Sequence, residues 1–126
     1  MTNYTGFAEI EIGGKKRPFY YGIAAAEIYC EELGKQQNRE VEFHEFQEAL
    51  TKAFGENFDP IYAGRIFSAC LLAGYEYKDM AVDFTPRQMK FWIQEFTPET
   101  YQEILKVITG ANKSPNADAP SQAEQK

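Results

Sequence analysis

Residues 7–12 alternate: Ala8, Ile10 and Ile12 fall on one face, Glu9 and Glu11 on the other. A period of two is the signature of a half-buried strand. Gly13-Gly14 follows, a pair that reaches the positive φ angles of a tight hairpin turn at little steric cost. Residues 15–21 then read as the return strand. Pro18 lacks an amide proton, which places that strand at an edge. The pattern predicts an N-terminal β-hairpin.

From Ile23 the period becomes helical. Ile23, Ala26, Cys30 and Leu33 share a stripe, Glu27 and Glu31 lie away from it, and Gly34 is the expected stop. Gln36-Gln37-Asn38 connects to a second helix carrying Phe43, Phe46, Leu50 and Phe54 at i, i+3, i+7 and i+11, which ends at Gly55. Asp59-Pro60 opens a third, with Asp59 as N-cap and Pro60 where a missing amide costs nothing. Residues 61–74 are apolar nearly all round, the mark of a central helix covered on most sides. Ala63, Gly64, Ala69, Ala73 and Gly74 let neighbours approach closely, and the helix is expected to end at Gly74.

Thr85-Pro86 and Thr97-Pro98 each join a capping hydroxyl to a proline in the first turn. They precede two stripes, Met89, Trp92, Ile93 and Phe96, then Tyr101, Ile104, Leu105 and Ile108. Thr85 and Gln88 have capping-box spacing, and Trp92 is expected to be buried. Residues 111–126 hold Pro115 and Pro120 but no large apolar side chain, too little to offset the entropy of ordering. The fold class is therefore α+β and mostly helical. A β-hairpin and about five helices form a single domain over residues 1–110, and a disordered polar tail occupies 111–126.

Composition sharpens this. The chain has 126 residues, 44% hydrophobic and 15% aromatic, enough for a core that needs no metal or disulfide. Its net charge of −6 opposes duplex binding, which draws affinity from counterion release by a concentrated basic surface. Cys30 and Cys70 sit in apolar helical patterns and read as buried free thiols. No charged start followed by an apolar stretch opens the chain, and no apolar run nears the ~20 residues of a membrane span. A cytoplasmic protein with no membrane partner is expected.

Catalytic chemistry finds little to stand on. A zinc-protease helix would need a second histidine where Glu48 follows His44, and His44 is the one histidine. Nothing around Ser68, Cys30 or Cys70 resembles a nucleophile motif. The expectation is no enzyme, no catalytic residue, no metal and no cofactor. Gly13 to Arg17 offers glycines and cations, but between two strands instead of before a helix, where a phosphate loop works. That segment reads as a solvated hairpin tip, with a basic docking spot as the alternative. Seven Glu between Glu27 and Glu48 face only Lys35 and Arg39, either as a solvated face or as a docking surface for a basic partner. Arg65, inside the apolar helix, either snorkels to the surface or pairs with a carboxylate. Phe91 falls off its stripe, and Tyr75 and Tyr77 follow the expected end of the third helix. These three aromatics are the candidate partner-binding residues, as grouped exposed aromatics mark binding patches.

Taken in order, the segments FAEIEIGGKKRPFYYG, AAAEIYCEELG, AGRIFSACLLAG and FTPRQMKFWIQ, then a last helix and a polar tail, resemble a known family. The layout over residues 7–108 is similar to the tail assembly chaperones of tailed bacteriophages and prophages. The resemblance implies a non-enzymatic protein of the bacterial cytoplasm. It would bind the long, aggregation-prone tape measure protein and keep it soluble until tail-tube subunits assemble, with the tail tube protein as a possible second partner. It also implies a longer frameshifted form in many members. A homo-oligomer stays open. The alternative reading is a nucleic-acid-associated or regulatory protein of a mobile element that uses Lys15, Lys16 and Arg17.

Overall fold

The computed structural model describes residues 6–55 and 58–112. The elements run β1 (Phe7–Ile12), β2 (Lys15–Tyr20), α1 (Ile23–Gln37), α2 (Phe43–Phe54), α3 (Pro60–Tyr77), α4 (Pro86–Gln94) and α5 (Pro98–Asn112). The expected hairpin and five helices are all present.

β1 and β2 pair antiparallel, with Ile10 opposite Arg17 and Ile12 opposite Lys15. Alternation works as read: Ile10 and Ile12 are buried, Glu9 and Glu11 exposed. Gly13 and Gly14 turn the chain at φ 66° and 87°, in the left-handed region that favours glycine.

α3 is the central element, with β2, α1, α2 and α4 all packed against it, while α5 covers β1. Asp59 caps α3 by accepting from the Ile61 amide at 2.9 Å. The helix does not stop at Gly74. It runs on to Tyr77 and closes in a Schellman arrangement, with Asp79 at φ 56°, Asp79 N–H donating to Glu76 O at 3.1 Å and Met80 N–H to Tyr75 O at 2.8 Å. Gly74 serves a different purpose. A Cβ there would stand 2.2 Å from the Pro18 carbonyl oxygen, so its bare Cα lets β2 lie directly on the helix.

Two more boundaries move for local reasons. α1 passes through Gly34 and ends at Asn38, whose left-handed φ of 53° takes the role expected of the glycine. α5 extends to Asn112, two residues into the expected tail. The remainder of that tail, 113–126, lies outside the described residues. The α1 stripe is also rotated, with Ala25, Ala26, Tyr29 and Leu33 facing inward while Ile23, in the first turn, is 80% exposed. The proline-opened caps hold: Thr85 and Gln88 form a full capping box, and Thr97 Oγ1 accepts from the Thr100 amide at 3.2 Å.

Candidate protein-binding groove

α1 and α4 flank α3 without closing over it. Between them runs an open groove of about 440 Å³. Its floor is the α3 stripe Ile61, Gly64, Arg65, Ser68, Ala69 and Leu72, which recurs at helical spacing. Tyr29, Leu33 and Glu32 supply the α1 wall, and Met89, Lys90 and Ile93 the α4 wall. At about 1.5 Å of rise per residue, the floor runs roughly 16 Å, the length of about three helical turns.

The floor dips where its side chains are small, at Gly64, Ser68 and Ala69. Gly64 leaves room for Ile93, whose Cδ1 would lie 3.2 Å from a Cβ added there. Ser68 and Ala69 continue the depression, and fully buried Met89 seals the α4 side. Ile61 stands 67% exposed at one end, an apolar side chain with no cover.

Charge enters at three points, Glu32, Arg65 and Lys90. Arg65 is half-buried, and its guanidinium carbon lies 5.9 Å from the centre of the Tyr62 ring. Burial pushes the Tyr29 phenol up, and Arg65 beside it works the other way. Of the two expected outcomes for Arg65, the snorkelling one fits. Among the described residues it forms no ion pair.

The aromatic candidates do not form one patch. Tyr75 is buried at 1% exposure, which removes it from any free surface. Because α3 continues past Gly74, Tyr75 turns inward, sets its ring at a tilt 5.4 Å from that of Phe84 and donates to Asp83 at 2.7 Å. Tyr77 is 59% exposed and sits over the hairpin, its ring 5.2 Å from Phe7 and 5.0 Å from Tyr20. Phe91 is 61% exposed on a face of α4 that does not line the groove.

The basic hairpin also changes character. Arg17 is buried beneath Trp92, 4.5 Å from the ring centre, and donates to Tyr75 Oη at 2.8 Å and to Asp83 Oδ1 at 2.8 Å. Lys15 pairs with the same Asp83 carboxylate. Of the three cations, Arg17 is buried and shares the Asp83 carboxylate with Lys15, while Lys15 and Lys16 stay exposed. Trp92, expected to be buried, is half-buried, because one side of the indole covers Arg17 and Gly13 at the rim of the domain.

The remaining polar candidates lie apart. His44 is exposed on α2. Among the described residues, no group of three or more His, Cys, Asp or Glu is placed to hold a metal ion. Cys30 and Cys70 are free; Cys70 is fully buried, which pushes its thiol up, while Cys30 is half-buried. In the acidic stretch, Glu45 is held by Arg39 at 2.7 Å, which brings its carboxyl down to about 2. No helix among the described residues is long and apolar enough to cross a membrane.

Sequence reasoning passed over the groove. Its signal was available: α3 carries more apolar faces than its neighbours cover, and Ile61, Gly64, Ser68 and Leu72 mark the uncovered one. Comparison of the chain with protein-family models, with curated proteins and with solved structures finds no match.

Proposed function

We propose that this protein is a non-enzymatic binding module whose α1–α3–α4 groove seats an amphipathic helix of a protein partner. The observation that carries this reading is the open, small-residue floor of α3, about three turns long and walled by two helices. Helix-in-groove recognition needs such a trough, which takes apolar anchors spaced at i, i+3 or i+4, and i+7. The resemblance of residues 7–108 to tail assembly chaperones names a fitting client, the tape measure protein of a tailed phage or prophage. That client's long amphipathic helices would be shielded in the cytoplasm until the tail tube forms around them. The nucleic-acid alternative loses support from the burial of Arg17 and from the Asp83 carboxylate that Arg17 and Lys15 share.

Co-expression with the tape measure protein tests this reading through the fraction of client kept soluble. Ile61→Asp combined with Ser68→Trp should abolish protection. Asp in the first turn suits the helix dipole, so α3 itself is spared. Phe91→Ser with Tyr77→Ser should protect as wild type does. If the groove variant protects fully, the groove is not the site; if wild type gives no protection, the chaperone reading goes.

A further inference from the structure

The groove carries an unbalanced charge. Arg65 rises from its floor one turn after Ile61, Lys90 stands on the α4 wall, and Glu32 on the α1 wall is the one carboxylate in the lining. Two cations against one anion leave the lining at +1, in a chain whose net charge is −6. Glu32 is also drawn toward Lys35, at 3.7 Å.

Among the described residues, no carboxylate pairs with Arg65. A smaller hollow on its far side brings Arg39, Glu45, Glu48 and Lys52 near. Glu45 is taken by Arg39, in two hydrogen bonds of 2.7 and 3.1 Å, and Glu48 forms no ion pair with Arg65. Two tyrosines are what the guanidinium has, the ring of Tyr62 and the neighbouring phenol of Tyr29.

A purely apolar helix laid in this groove would strip water from Arg65 and return nothing for it, a heavy penalty for a charge. A carboxylate reverses the sign. Guanidinium and carboxylate meet in two parallel hydrogen bonds, which fix register as well as adding affinity. We infer that the partner helix carries an Asp or Glu inside its apolar stripe, positioned to accept from Arg65 while the flanking apolar residues fill the ends of the groove. This specification rests on the groove being a helix seat. Residues 113–126 of this chain, which hold no large apolar side chain, do not supply such a helix.

Three synthetic amphipathic helical peptides test the inference, identical except for Glu, Gln or Lys at the centre of the apolar stripe. Fluorescence anisotropy measures their binding to the full chain, to Arg65→Met and to Ile61→Asp. Wild type should bind the Glu peptide about tenfold tighter than the Gln peptide and the Lys peptide weakest, as a charge-assisted pair predicts. Arg65→Met, which lifts that desolvation penalty, should bind the Gln peptide more tightly than wild type does and lose the preference for Glu, and Arg65→Lys should restore part of the preference. The inference is overturned if wild type prefers Gln or ranks the peptides equally, or if Arg65→Met still prefers Glu. Equal binding of all three that Ile61→Asp abolishes leaves the groove reading standing and removes the carboxylate. Absence of binding by any peptide, or binding indifferent to Ile61→Asp, removes both.

Discussion

Arg17 donates to Asp83 at 2.8 Å, joining the hairpin strand β2 to the loop between α3 and α4. The same guanidinium reaches the Ile12 carbonyl through Nε at 2.6 Å and the Tyr75 hydroxyl through Nη1 at 2.8 Å. Trp92 lies over it at 4.5 Å and Phe84 at 5.9 Å. One buried cation thereby ties β1, β2, the end of α3 and the loop before α4 together beneath Trp92, and so holds the α4 wall of the groove in place.

Acid should loosen this junction. Lys15, then Tyr75, by hydrogen bonding, and after them the charge of Arg17, hold the Asp83 carboxyl well below the usual carboxylate range. A depressed folded-state value favours the folded state above the unfolded carboxylate pKa of about 4, and that contribution is lost as pH falls below it. Wild type should lose melting temperature steadily below about pH 4. Asp83→Asn should start lower at neutral pH and show a shallower decline there. A parallel decline in both proteins would place the acid sensitivity elsewhere.

Gly74 should tolerate no side chain. The obstacle to a Cβ is the Pro18 carbonyl, 2.2 Å away, and a backbone atom in a paired strand cannot swing aside. Gly74→Ala should cost about 2 kcal/mol or more, as overpacking does. Gly110 in α5 has nothing within 4 Å of its added Cβ, so Gly110→Ala should be neutral or gain up to about 1 kcal/mol. Chemical denaturation of the two variants checks the contrast.

Trp92→Ala should cost about 2–3 kcal/mol. That is less than a fully buried tryptophan loses, with part of the cost coming from the cation–π contact over Arg17. The indole emission of wild type should shift on Arg17→Met, which removes the cation beneath the ring. An emission spectrum unchanged by that substitution would contradict the stacking.

How much of this could be read from the chain depended on whether a residue answers to its neighbours in sequence or in space. Pro60, Pro86 and Pro98 opened helices where expected because a proline and a capping side chain act within one turn. Gly74 is no stop because its reason is tertiary, and Gly34 is none because the chain leaving α1 folds back against it. A Cβ on Gly34 would meet the Arg39 carbonyl at 2.8 Å, and on Gly74 the Pro18 carbonyl. The error at Gly74 propagated to the site: ending α3 there left Tyr75 free, whereas one more turn buries it. The groove stayed out of view because an all-round apolar helix does not say which of its faces its neighbours will leave uncovered.

If an amphipathic helix seats in the α1–α3–α4 groove, the amides along the groove should move on binding. Amide chemical-shift mapping tests it most directly, with wild-type protein titrated by an amphipathic helical peptide bearing a central Glu. The largest shifts should cluster at Leu33, Gly64, Ser68, Leu72 and Ile93, with the hairpin amides of residues 13–17 unmoved. Shifts centred instead on Phe7, Tyr20 and Tyr77, or spread evenly over the domain, would contradict it.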